Sequence, residues 1–568
     1  MKITKIMRIV HRYISFIAAV MCSGVLAAQN LDPTVEVSRA YEAKIAEANK
    51  PVREMTVPDS VNTFRLDFDY SVFDKPYKGA YDFNPYLMNM RPTTASYNPR
   101  TFYLKAGAGY RLYPELDLIW SPTLKKGVGL NVYAVHKSYV GDYRRIDMAQ
   151  TGDNAGSLDW NGSDRWNGYD LMSKVGADVS YKWKAGVLGL NVDYYGLAGK
   201  SEAGNRGYDS VDLNFRLGSN KNPETEFVYN VALDYRFGED KMNYFQSSYL
   251  SEHIASLAVH LGPVFKHGHK VVFDLGAELA QYGVVTDNFM AGFHLTPRYV
   301  LKRGRWSVNA GVRIDAVSRA DNQQFIYPDV KIGFAVIKNA MNIYTAVVGG
   351  TKINTYSSLI EDNHYFNLGT WFPGADFLRA DVERINATVG VRGRIASEFS
   401  YDLRGGYACY ANALLPSVAL TLGQLHPGIV YGAYDKAFAA LDWRWDDESF
   451  KFDGSVVYTH TWGFERAERA FAPAALTGNV AFEYNWKRRI FAGIDCGFST
   501  ARKMATGSAS VDVKVPGYAD LGVSAQYAMN RKLSFWLRGG NLCCMTIQRT
   551  PLYAEGGISF TAGICLNL

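Results

Sequence analysis

Chemistry needs particular side chains brought close together, and few sets in these 568 residues qualify. His267 and His269 flank Gly268 in one short turn, where two imidazoles can touch a metal ion. No third ligand stands beside them, so a solvated turn is expected. Asp153, Asp159, Asp164 and Asp170 fall in the oxygen-rich stretch DNAGSLDWNGSDRWNGYD. Calcium binds such oxygens, but the spacing fits no calcium loop, and an ordinary hydrophilic loop is expected. No Ser/His/Asp set and no paired carboxylates stand out. His136 lies in an apolar register, where a lipid hydrolase of a membrane surface would carry its histidine, yet no serine signature accompanies it. Gly107-Ala108-Gly109 lacks the spacing and the following helix of a phosphate loop. No catalytic, cofactor-binding or metal residues are expected, and the protein is not expected to be an enzyme.

Cysteine chemistry is equally sparse. Beyond Cys22 the chain holds Cys409, Cys496, Cys543, Cys544 and Cys565. An odd, irregularly spaced set is no disulfide framework. Cys543 and Cys544 are neighbours, but a bridge between adjacent residues is strained. They read as small, fairly apolar strand residues.

Charged residues recur in a pattern instead. Lys105, Arg111, Lys174, Asp178, Lys182, Asp193, Asp212, Arg216, Asp234, Arg236, Asp274, Glu278, Arg313, Asp315, Asp402, Arg404, Asp442, Arg444 and Glu483 fall on the face opposite the apolar stripe, which should line the interior. Both signs occur, often two residues apart. Buried charges need partners, so a mesh of ion pairs is expected; a selective pore would cluster one sign. Trp536 shares this parity and is expected to stack on the N-terminal segment or on a ligand.

The elements that carry these residues alternate with period two, which places each set on one face of a strand. Phe102, Leu104, Ala106, Ala108, Tyr110 and Leu112 alternate with Tyr103, Lys105, Gly107, Gly109 and Arg111. Trp306, Val308, Ala310, Val312 and Ile314 alternate with Ser307, Asn309, Gly311 and Arg313. The last run, Ile558 to Leu568, reaches the final residue. Soluble sandwiches alternate too. Here, however, short turns at 184–186, 302–304, 338–340, 446–449 and 487–489 alternate with long connections at 138–168, 350–382, 410–428, 460–474 and 499–517. Outer-membrane barrels have that asymmetry. Trp120, Trp183, Trp306, Trp445 and Trp486 all stand beside short turns, as an interfacial girdle requires. The expected fold class is all-β: a transmembrane antiparallel β-barrel of about 20–22 strands, with short periplasmic turns and long extracellular loops. The 350–382 connection carries Tyr365, Phe366, Trp371, Phe372 and Phe377, which can bind a partner or a sugar or pack within the loop.

Export fits this reading. Lys2, Lys5, Arg8 and Arg12 precede an apolar run from Ile14 to Leu26, and Val25-Leu26-Ala27 offers a cleavage site. Residues 1–27 are expected to be a signal peptide, 28–100 a periplasmic leader that partly fills the lumen, and 101–568 the barrel. No later segment has the ~20 apolar residues of a membrane helix. A net charge of +6 is too mild to indicate nucleic acid. An aromatic content of 14% is too high for a disordered chain.

The C-terminal stretch LSFWLRGGNLCCMTIQRTPLYAEGGISFTAGICLNL resembles the end of TonB-dependent receptor barrels. Leu104 to Tyr110, Pro114 to Leu116, Tyr133 to Lys137 and the leader segment Val35 to Tyr41 resemble Bacteroidota outer-membrane proteins labelled TonB-dependent-receptor-like. The resemblance implies an integral outer-membrane barrel for solute uptake or a receptor role. It also implies a plug of more than a hundred residues, and 28–100 is too short for one. TonB coupling would use Val35 to Val37 as a pulled strand; it is left open but not expected. The expected partners are outer-membrane lipid and other envelope proteins. Two functions stay open: passage or uptake of a solute, and a non-transporting barrel that anchors or scaffolds an envelope complex.

Overall fold

The computed structural model describes residues 101–568 except 111–112, 150–155, 202–203, 220–226, 245–247, 266–267, 284–288, 339, 365–377, 396–397, 422–423, 466–469 and 505–512. The signal peptide, the leader with Val35 to Val37, and Arg111, Asp153, His267, Tyr365, Phe366, Trp371, Phe372 and Phe377 lie outside the described residues.

The chain runs up and down. Its first strands are β1 (Phe102–Gly109), β2 (Glu115–Trp120), β3 (Val128–Met148), β4 (Leu158–Lys182), β5 (Gly186–Ser201), β6 (Gly204–Ser219), β7 (Phe227–Tyr244) and β8 (Ser248–Pro263). There follow β9 (His269–Tyr282), β10 (Phe289–Arg303), β11 (Trp306–Val317), β12 (Ile326–Ile337) and β13 (Met341–Ile353), then a helix, α1 (Tyr356–Asp362). Next come β14 (Ala380–Ile395), β15 (Phe399–Thr421), β16 (Gln424–Asp446), β17 (Phe450–Glu465), β18 (Leu476–Trp486) and β19 (Ile490–Ser499). The chain ends with β20 (Arg502–Met504), β21 (Val513–Val515), β22 (Tyr518–Ala528), β23 (Leu533–Gly540) and β24 (Ser559–Asn567). All but β20 and β21 form one 22-stranded antiparallel sheet, and β1 pairs with β24 to close it. Closure removes the edges that hydrocarbon cannot satisfy.

The alternation sorts the two faces. Leu213, Leu233 and Val389 are 42%, 48% and 59% exposed, although each sits in the middle of a paired strand. That much apolar surface is stable only against lipid. At the short-turn end Trp120, Trp306, Trp445 and Trp486 are exposed on this outer face. Neighbouring rings continue the belt: Trp306 lies 4.7 Å from Phe334, and Trp445 lies 5.8 Å from both Phe399 and Phe450. The protein is therefore an integral outer-membrane barrel, with the short turns on the periplasmic side.

The seam explains two glycines. Gly107 pairs with Gly563, and Gly563 with Trp536, in a row across β1, β24 and β23. The buried indole of Trp536 lies flat over both glycines and donates Nε1–H to the Ile564 carbonyl at 3.3 Å. Lys105 Nζ stands 4.3 Å from the ring centre. The partner of Trp536 among the described residues is thus the barrel seam itself, rather than the N-terminal segment or a ligand that its parity suggested.

Two expected long loops are largely strand, and a third carries a short ribbon. Residues 138–168 belong mainly to the β3–β4 hairpin, which stays paired out to Met148 and Leu158. Residues 410–428 belong to β15 and β16, paired out to Thr421 and Gln424. Residues 499–517 carry the small β20–β21 ribbon. Asn and Gly in these stretches suggested loop, but neighbouring strands supply backbone partners that override that propensity. Gly162, at φ +93°, sits where the β3–β4 register slips, a bulge in strand rather than a loop.

Candidate functional site

The lumen-facing charges meet one another. Lys105 reaches Glu115 at 3.6 Å, Lys174 reaches Asp193 at 4.0 Å, and Lys451 reaches Glu483 at 3.5 Å. Arg236 is forked onto Asp212, Arg298 binds Asp274, and Arg404 binds Asp442. Other pairs run along one strand, among them Arg313 with Asp315 and Arg444 with Asp446, both at 2.7 Å. Asp315 is fully buried; it also accepts from the Thr351 amide at 2.7 Å and the Thr351 hydroxyl at 2.9 Å. The interior is largely a mesh of paired charges of both signs, as the parity implied.

The mesh also holds an element absent from the sequence reading. Leaving β13, the chain turns inward and forms α1. Thr355 caps it: its hydroxyl accepts from the Ser358 amide at 3.2 Å, and Ser358 Oγ accepts from the Thr355 amide. Tyr356 and Ile360 are buried in a cluster with Tyr195, Leu197, Tyr208 and Leu250, which face the lumen from β5, β6 and β8. Tyr356 donates to Asp240, and Tyr208 donates to Glu252 at 2.8 Å. Glu361 binds Arg236 at 2.7 Å, so Arg236 joins the barrel wall to the helix. β13 and β5 stand eight strands apart in the ring. The connection therefore lies across the lumen. The T-x-x-S spacing of Thr355 and Ser358 is the sequence signal for this helix, weaker than the acidic capping box.

Just past α1, His364 fastens the connection. Its Nδ1 lies 2.9 Å from Asp170, and its carbonyl accepts from Arg206. Burial pulls the His364 imidazole down, but the charge and hydrogen bond of Asp170 outweigh this and leave it raised above its ordinary value. Arg206 is buried, and among the described residues its Nε and Nη2 have no hydrogen-bond partner.

Further out, connections from opposite sides of the ring pack together. Ile146 and Leu158 of the β3–β4 hairpin share a buried cluster with Val418 of β15, Phe471, Met504, Val513, Val515 and Ala554. β4 and β15 are eleven strands apart in a ring of 22. Gln548 donates to the Leu158 carbonyl at 2.7 Å, and Phe471 N donates to the Pro416 carbonyl at 2.8 Å. The 541–558 connection is tied down by Arg549, which binds Glu555 and, at 3.5 Å, Asp520.

The remaining candidates scatter. Asp164 pairs with Arg145 at 3.4 Å and Asp170 with His364, so the acidic stretch converges on no common point. His269 Nδ1 meets the Tyr299 hydroxyl at 2.5 Å. His136 Nδ1 lies 2.8 Å from Ser173 Oγ on the outer face, a pairing across strands that sequence reasoning missed. Among the described residues no carboxylate binds that imidazole, so the pair is a hydrogen bond without the orienting acid of a hydrolase. The five cysteines are free thiols, and no group of three or more metal-ligating side chains converges among the described residues.

No family model matches this chain, and no curated protein matches it. Solved structures do. The ferric enterobactin receptor of Pseudomonas aeruginosa superposes with a TM-score of 0.57 at 11% identity, covering 82% of this chain and 80% of that one. The ferric-catecholate import receptor Fiu of E. coli gives 0.58 at 10% identity, covering 83% and 82%. The copper transporter OprC gives 0.59 at 10% identity, covering 82% and 80%. At such identities the likeness is one of fold.

Proposed function

We propose that this barrel is a receptor-type passage for uptake of a solute across the outer membrane, with the β13–β14 connection as its constriction. Residues 1–27 direct export, 28–100 form a periplasmic leader that partly fills the lumen, and 101–568 form the barrel. The observation that carries the reading is the docking of Tyr356 and Ile360 across the lumen, held by Arg236 and Asp240. A barrel of this size needs something to occupy it, and a connection held by hydrogen bonds and one small apolar cluster can move. The receptors and transporter of like fold support uptake over catalysis.

Single-channel recording tests it. The purified protein in a planar bilayer is expected to conduct weakly, and Y356A/I360A to open more often and further. A barrel silent in both forms, with no solute-uptake defect on gene deletion, overturns the proposal.

A second reading is favoured by the packed outer cap around Phe471 and Val515. A rigid external surface of this kind suits a barrel that anchors an envelope complex. Co-purification of a partner in mild detergent supports that reading, and recovery of monomer alone counts against it.

A further inference from the structure

The outer face of the barrel carries a recess at its periplasmic rim, lined by Leu301, Arg303, Gly304, Arg305, Trp306, Val308 and Phe334. Its register explains its shape. Arg303 pairs with Trp306, Leu301 with Val308, and Trp306 with Phe334, so all these side chains share the lipid-facing side of β10, β11 and β12. The two-residue turn between Arg303 and Trp306 holds Gly304 at φ +62° with open space around it. The turn thus presents two guanidinium groups at the mouth of an apolar slot floored by Leu301, Val308 and Phe334. Trp306, 52% exposed, forms one wall.

Arg303 and Arg305 are both exposed, and among the described residues no carboxylate pairs with either. This contrasts with the interior, where Arg236, Arg298, Arg313, Arg404 and Arg444 each meet a carboxylate. Arginine spaced this way binds phosphate oxygens in a fork. Apolar residues directly below it, at the depth of a tryptophan girdle, offer acyl chains a groove. The short-turn end as a whole is basic: Lys125, Lys126, Lys487, Arg489, Arg531 and Lys532 are all exposed there. A basic rim beside a membrane surface draws anionic lipid at about 1 kcal/mol per charge.

We propose that this recess is a binding site for one anionic phospholipid of the inner leaflet, with its phosphate between Arg303 and Arg305 and its acyl chains along Leu301, Val308 and Phe334. The basic rim supplies the general attraction, and the recess supplies the place.

Native mass spectrometry of the full protein in mild detergent tests the site, with dioleoyl phosphatidylglycerol and dioleoyl phosphatidylethanolamine as probes. Wild-type protein is expected to retain one phosphatidylglycerol and to release phosphatidylethanolamine. R303Q/R305Q is expected to bind roughly ten- to thirty-fold more weakly, the loss of two charges at such a surface. K125Q/K126Q, which removes the same charge from a turn elsewhere on the rim, is expected to leave retention unchanged. Equal loss in both variants, or equal retention of the two lipids, overturns the proposal. So does full displacement by an equal concentration of glycerol phosphate, which carries the anion without chains. A phosphatidylglycerol with a photoactivatable chain gives a readout on the unaltered protein. Crosslinks gathered on 301–308 and 334 support the site, and crosslinks spread evenly around the barrel overturn it.

Discussion

Asp315 ties several groups of the inner mesh together. It is fully buried, and its carboxylate serves Arg313, the Thr351 amide and the Thr351 hydroxyl at once. Truncating one member of such a pair strands the other charge, a loss of about 3–5 kcal/mol. D315A is therefore expected to lower the urea unfolding free energy in liposomes by that order, whereas R313M/D315L should recover most of it. A loss under about 1 kcal/mol in D315A would show the pair to be solvated in place. At this scale much was legible. Period-two parity alone assigned Arg313, Asp315, Arg404 and Asp442 to the interior, because one face of every strand must meet lipid. Their partners were not legible. Arg404 binds Asp442 on the next strand more closely than Asp402 on its own, where the separation is 3.9 Å. Choosing between them needs the register of β15 with β16. The same gap hid the contact of His136 with Ser173, which are 37 residues apart but directly opposed.

At the scale of elements, strands were read well and their ends poorly. Asn and Gly in DNAGSLDWNGSDRWNGYD argue for a loop locally, yet Trp166 stacks on Tyr143 at 4.5 Å, and Arg144 lies over Trp160 at 4.4 Å. Those contacts extend the β3–β4 hairpin, and they join residues far apart in sequence. α1 was missed for a different reason. It has only seven residues, and its apolar pair, Tyr356 and Ile360, makes too short a pattern to stand out. Its latch titrates. The His364 imidazole is raised in the folded protein, so its contribution is complete below the unfolded value of about 6.5. It is lost as pH rises through the higher folded value. The groups facing it are Asp170, Arg206, Tyr195 and Glu555. Proteolysis of the β13–β14 connection in the folded barrel should thus quicken as pH rises above the ordinary imidazole value of about 6.5, and H364Q should flatten that profile. A wild-type profile as flat as that of H364Q would remove His364 as the latch.

At the scale of the whole molecule, stability rests on closure. Every strand but the seam pair meets its neighbour through the connection that precedes or follows it; β1 and β24 meet only because the chain comes full circle. That contact was foreseeable, since the edge of a sheet in hydrocarbon must have a partner. What parity could not supply was the fit. A Cβ on Gly563 would stand 2.6 Å from Gly107 Cα and 2.7 Å from Trp536 Cε2, and would also meet the Ala106 carbonyl. Most of those atoms are backbone and cannot yield without parting the strands. Gly189 offers the contrast: its Cβ would meet only Arg216 Cβ, at an ordinary 3.8 Å. Gly563→Val is therefore expected to weaken the folded barrel by about 1–3 kcal/mol, the usual range for overpacking a filled site. Gly189→Ala should change it little. Heat-modifiable migration on SDS gels reads both: the compact band of Gly563→Val should convert at a lower temperature, while that of Gly189→Ala tracks wild type. Equal conversion temperatures for all three would mean that β1 and β24 are held by their backbone ladder alone, with no contribution from the packing of Trp536 over its glycines.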